Sequence, residues 1–171
     1  MRSSLISAVL AGLFLLSTTV CAGKKLTQTI HIEITSHLGD QQVFQQNDII
    51  SFLLSLDKAA YVYVIYQDAS RQLTQIVPNK LQPVNFYRAG VFIAVPAENS
   101  AFQFIIQPPF GKETLWVFAT DNASLVFPGK NRPNGLKLLK ADINSIRTQV
   151  QQHSKERWGE AHFDLTSQEG R

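Results

Sequence analysis

The chain has 171 residues, 44% of them hydrophobic, and carries 16 Lys+Arg against 13 Asp+Glu for a net charge of +3. That length suits one domain with a sizeable core, and so small a positive excess argues against a nucleic-acid-binding surface. The single cysteine, Cys21, excludes an intrachain disulfide framework.

Arg2 is the only charge before Lys24, and residues Leu5 to Leu16 are almost wholly apolar. A short positive start, an apolar run and a small-residue boundary predict a secretory signal peptide over residues 1–22. The run falls short of the roughly 20 apolar residues that span a bilayer. Val20 and Ala22 suit the −3 and −1 positions of a cleavage site, which places the cut between Ala22 and Gly23. Cleavage there removes Arg2 and Cys21 and lowers the net charge to +2. The alternative is a lipoprotein that carries its lipid on Cys21, but Val20 and Thr18 do not match that processing signal. The expected location is therefore the periplasm, with no transmembrane segment in the mature chain.

Residues 23–166 read as a single, mainly β domain. Ile30, Ile32 and Ile34 alternate with His31, Glu33 and Thr35, which is the pattern of a half-buried strand. Phe52, Leu54 and Leu56 repeat it. Ala60 to Tyr66 is apolar on both faces, as in a central strand covered on both sides. Asp68-Ala69-Ser70-Arg71 forms a hairpin turn, and Gln72 to Val77 returns. Pro78 breaks the pairing. Short strands follow at Val91–Val95, Phe102–Ile106 and Leu115–Thr120. About seven to nine short strands with such punctuation predict a β-sandwich. Phe52, Leu54, Tyr63, Ile65 and Trp116 are the expected core. Near the end, Leu139, Ile143, Ile146 and Val150 make one apolar stripe on an amphipathic helix. Ala161, Phe163 and Leu165 form a final strand, and residues 167–171 a frayed tail.

Several of these segments recur as an ordered set. They are Ala60-Tyr61-Val62-Tyr63-Val64, Pro78-Asn79, Ala89-Gly90 ahead of Ile93-Ala94-Val95-Pro96, and Pro109-Phe110-Gly111-Lys112-Glu113 running into Leu115–Thr120. Over roughly residues 40–122 this order resembles the bacterial domain-of-unknown-function family 4384. The resemblance implies a compact β-sandwich used in exported proteins for binding or assembly, here in stand-alone form. That family carries no agreed catalytic residues, so none are transferred.

The residues themselves offer little chemistry. His31, Glu33 and His37 share a strand face, but the histidines lie roughly 20 Å apart along a regular strand. No H-E-x-x-H or cysteine pair is present, so no metal or other cofactor is expected. A G-x-S-x-G elbow is missing too. Gly111-Lys112 is not a phosphate loop, because Ile106 stands where its first glycine belongs and Glu113 replaces the Ser/Thr. The chain is thus expected to be no enzyme.

Three functions stay open at this point. The first is a periplasmic module that contacts other envelope proteins. The second is a glycan or peptidoglycan-fragment binder using Tyr61, Tyr63, Asn79, Asn85 and Tyr87, since tyrosines offer an apolar ring with a polar tip. The third is an enzyme whose site assembles only in space. From Lys130 to Trp158 the chain holds Lys130, Arg132, Lys137, Lys140, Arg147, Lys155 and Arg157 against Asp142 and Glu156, a solvated face or one for an anionic surface.

Overall fold

A computed structural model describes residues 27–39, 43–98 and 100–170. The apolar N-terminal run, Cys21 and the Ala22–Gly23 junction lie outside the described residues.

The chain opens with β1 (Ile32–Ser36), β2 (Val43–Gln45), β3 (Ile49–Ile50) and β4 (Phe52–Leu56). Next come β5 (Ala60–Gln67), β6 (Leu73–Val77), β7 (Phe86–Tyr87), β8 (Ile93–Val95) and β9 (Phe104–Ile105). It closes with β10 (Lys112–Thr120), β11 (Gly129–Asn131), β12 (Lys137–Leu139), α1 (Ile143–His153) and β13 (Trp158–Gln168). Strands β1, β4 and β8 form a small sheet. The large sheet runs β11-β12-β6-β5-β10-β13-β2, with β7 also paired to β5. Strands β3 and β9 make a separate two-stranded ladder.

Period two sets the layers. Phe52, Leu54 and Leu56 of β4 point inward and meet Val62, Val64, Leu115 and Val117 of the large sheet in one core, so the fold is a β-sandwich. The alternate residues of the large sheet, Tyr63, Ile65 and Phe118, build a second core on its other face. Ile146 and Val150 of α1 close that core, together with Leu125, Phe127, Leu139 and Trp158. The helix therefore packs on the sandwich instead of presenting a free stripe.

Both ends of α1 are tied down. Asp142 caps the N-terminus, its Oδ1 accepting from the Ser145 amide at 2.9 Å. Past the C-terminus, the Asp121 carboxylate accepts from the amides of Lys155, Glu156 and Arg157 at 2.9–3.1 Å. Partial burial works against the Asp121 charge, yet those amides outweigh it and hold the carboxyl below its ordinary range. Arg147 forks onto both oxygens of Glu160 on β13, at 2.6 Å each.

Four expectations need correction. Thirteen strand segments are present among the described residues, not seven to nine, because several ladders are only two or three residues long. Leu139 belongs to the second core but from β12; the helix starts only after the Asp142 cap. Trp116 is half-buried at the margin of the second core, with Arg147 of α1 beside its ring. The tail does not fray at Ser167: β13 runs to Gln168, pairs in parallel with β2, and buries Ser167.

Gly159 marks a tight crossing. The segment before β1 passes over β13 there, with the Thr29 and Ile30 amides donating to the Trp158 carbonyl at 2.9 and 3.0 Å. A Cβ on Gly159 would lie 2.2 Å from the Ile30 carbonyl oxygen. Gly159→Ala is therefore expected to lower unfolding stability by about 1–3 kcal/mol, the usual cost of overpacking, in a denaturant melt. The strand register predicts a contrast in β4. Leu54→Ala should cost about 2–5 kcal/mol. Leu53→Ala, at a side chain 38% exposed, should stay within about 0.5 kcal/mol. Equal losses at the two positions would contradict the register.

Candidate functional site

Of the five residues proposed from sequence as ligand contacts, Tyr63 is buried and Tyr61, Asn79, Asn85 and Tyr87 are half-buried. Tyr63 lies in the second core; its hydroxyl donates to the Leu125 carbonyl at 3.1 Å, and burial pushes its pKa up. Tyr61 shares its face, as expected, but packs against Phe86 with ring centroids 5.0 Å apart. Asn79 shapes its own loop: Oδ1 accepts from the amides of Leu81 and Gln82, and Nδ2 donates to the Ile76 carbonyl. That Asx-type turn is the reason Asn follows Pro78. Asn85 Nδ2 donates to the Val62 carbonyl at 3.1 Å. The Tyr87 hydroxyl accepts from Gln82 Nε2 at 2.9 Å.

A concavity lies at the opposite end of the large sheet. A cleft of about 700 Å³ opens between the β5–β6 turn, the start of β10 and the end of β13. The turn is built by Asp68, whose Oδ1 accepts from the Gln72 amide at 2.8 Å and the Ser70 hydroxyl at 2.7 Å. Arg71 adopts φ 70° to complete it. Gly111, at φ 145°, lets β10 begin against this turn; a Cβ there would sit 3.2 Å from that of Ala69. Around the cleft stand Asp68, Arg71, Lys112 and Asp164, with Val43 and Phe110 among its apolar residues.

Glu113 lies at the inner wall and is almost fully buried. It shares the inward face of β10 with Leu115 and Val117. Its Oε1 accepts from the Ser167 hydroxyl at 2.5 Å and its Oε2 from the Tyr66 hydroxyl at 2.6 Å. Ser167 closes the loop, its Oγ accepting from the Gly111 amide at 3.2 Å and its own amide donating to the Gly111 carbonyl at 2.9 Å. Burial pushes the Glu113 pKa up, and the two hydroxyl donors offset only part of that rise. Burial and the neighbouring Glu113 carboxylate push Tyr66 far up, so it stays a proton donor. The triad pins the end of β13 to the start of β10.

On the outer face, Thr114 Oγ1 donates to Asp164 Oδ1 at 2.9 Å, and His162 Nε2 stands 3.8 Å from Asp164 Oδ2. A hydroxyl, a carboxylate and an imidazole thus meet, but the carboxylate is in the middle. Nucleophilic catalysis needs the imidazole between the other two, to take the hydroxyl proton. Trp116 stacks beside His162 at 5.0 Å, donates its indole N–H to Gln67 Oε1, and has the Arg147 guanidinium 5.7 Å from its ring centroid. No group of three His, Cys, Asp or Glu side chains able to hold a metal occurs among the described residues. His31 and His37 flank β1, and the His31 ring stands 3.9 Å from the Glu33 carboxylate.

Residues 43–123 match the family model described as Domain of unknown function (DUF4384). Over that span the chain is similar to the DUF4384 family. No curated protein and no solved structure matches it. The matched span runs from β2 through β10 and includes the cleft's turn, Tyr66 and Glu113. It ends before α1 and β13, and begins after β1, so the DUF4384 segment takes its outer strand partners from flanking chain. β4 pairs with β1, and β10 pairs with β13 over nine residues.

Sequence reading passed over Glu113, Tyr66, Ser167 and Asp164. A signal for Glu113 existed, because an acid interrupts an apolar strand face at Glu113, Leu115 and Val117. Its partners had none, since Tyr66 and Ser167 lie 47 and 54 residues away.

The raised pKa gives Glu113 a defined pH signature. The folded chain holds the proton more tightly than the unfolded one, so this group favours folding while protonated. That contribution fades as pH rises from the unfolded carboxyl value, near 4.5, through the folded one. Glu113→Gln removes the titration. Denaturant melts at a series of pH values should show the stability difference between wild type and variant moving against wild type across that window. A difference that is flat with pH would disprove the assignment.

Proposed function

We propose that this chain is an exported, non-enzymatic module of the bacterial cell envelope that docks a protein partner in the cleft beside the β5–β6 turn. Export follows from the signal-peptide pattern of residues 1–22, and the periplasm is its destination. One observation carries the binding reading. The cleft sets Val43 and Phe110 among charges of both signs, Asp68, Arg71, Lys112 and Asp164, while its buried acid is held at both oxygens by Tyr66 and Ser167. Such a mixture suits a non-obligate protein interface, which is about as apolar as the rest of a protein surface. Both Glu113 oxygens accept from hydroxyls of the cleft's own strands, a tie between β5, β10 and β13 that supports a structural part for this acid.

Paired recovery from envelope fractions tests the reading. The tagged full chain is compared with an Arg71→Glu, Asp164→Lys double variant, with identities determined by mass spectrometry. Both residues are at the cleft, so the variant should keep the wild-type melting temperature and lose specific proteins that the wild type recovers. The same protein set from both chains would refute the cleft as the docking site.

A further inference from the structure

The end of the large sheet away from the cleft has a different character. β5 starts there at Ala60, and β10 ends there at Thr120 opposite Tyr61. β6 leaves there at Val77, and the chain returns through β7 to pair with Ala60 and Tyr61. The tip of the β11–β12 hairpin reaches the same end, where the Lys80 amide donates to the Gly135 carbonyl at 3.1 Å. Loop 78–92 and the hairpin tip therefore share one side of the molecule.

That side is both apolar and basic. Phe92 is 76% exposed and Val84 68%, with Leu81, Phe86 and Val91 about half exposed. Large apolar side chains this exposed, and this concentrated, mark an interaction surface. Residues 78–97, the loop that forms most of this end, hold Lys80 and Arg88 and no acid. Neither cation is in an ion pair among the described residues. The acids that do lie at this end are neutralised locally. Asp57 accepts from the His31 amide at 2.7 Å and lies 3.8 Å from Lys58. Asp121 is taken up by three amides.

We infer that this end of the sandwich rests on an anionic lipid bilayer, with Val84, Phe86 and Phe92 entering the acyl boundary and Lys80 and Arg88 at headgroup level. Two features favour a bilayer over an acidic protein. The apolar side chains protrude from loops, and a protruding phenyl ring needs a pocket to match it on a protein but none in fluid lipid. Cations beside apolar and aromatic residues are also the mixture that interfacial lipid contacts use. The inference is independent of the cleft, which lies at the opposite end and stays free to dock a partner.

Vesicle co-sedimentation tests it, using phosphatidylcholine with and without phosphatidylglycerol. Both the full chain and a chain starting at Gly23 are used, because the second keeps every described element and lacks the apolar N-terminal run. The Gly23 chain should bind the anionic vesicles, bind neutral ones far less, and release as salt rises. Lys80→Glu and Arg88→Glu should each weaken binding about fivefold or more. Phe92→Ser with Val84→Asn should weaken it further while leaving the melting temperature unchanged. The inference is overturned if the Gly23 chain ignores anionic vesicles, or if its binding survives both sets of substitutions. Loss of a protein partner by the charge variants, without vesicle binding, would instead assign this end to an acidic protein.

Discussion

Strands β5 and β10 lie side by side with apolar residues on both faces, and the rest of the architecture follows from the need to cover both. Val62, Val64, Leu115 and Val117 turn one way, and Tyr63, Ile65 and Phe118 the other. Left open to water, either face would forfeit about 1.5–3 kcal/mol for each large side chain. The small sheet covers the first face. The second is covered by α1 and the strand and loop residues around it. An isolated three-turn helix is marginal in water, so α1 owes its existence to this contact as much as the core owes its closure to α1.

The same constraint explains the limits of the family segment. Residues 43–123 include both central strands but only part of their cover. β13 supplies the outer partner of β10, and the chain after residue 123 supplies the whole second layer. The buried Glu113 sits at this seam. Its carboxylate joins β10 and β5, inside the family segment, to Ser167, outside it. A buried acid with both oxygens engaged is costly to leave half-paired, so it favours one register of β13 over its neighbours.

The two ends of the large sheet then differ in chemistry. One holds a cleft with balanced charges, and the other presents basic, apolar loops. The separation comes from topology: the β5–β6 turn lies at one end, while the β6–β8 connection and the tip of the β11–β12 hairpin lie at the other. A module of this form is suited to contact a protein with one end and a surface with the other.

Local pattern determined a good deal. The alternation in Phe52–Leu56 and the two-faced run Ala60–Tyr66 were legible because strand periodicity depends only on neighbours along the chain. The Asp68–Arg71 turn and the Pro78-Asn79 reversal were legible for the same reason. The apolar stripe of Ile143, Ile146 and Val150 announced a helix, although the Asp142 cap decided where it began. What only the tertiary structure decided are relations across long sequence distances. Tyr63 and Tyr61 look like a platform in one dimension; in three, Tyr63 is roofed by Phe127 and the Leu125 carbonyl, and Tyr61 is met by Phe86. Ser167 looks like tail, but meets Glu113 and becomes core. Thr114, His162 and Asp164 gain their order only when β13 takes its register on β10. Sequence sets which face a residue occupies, because that is a matter of period. What stands opposite that face is set by sheet pairing and layer packing, whose partners lie tens of residues apart.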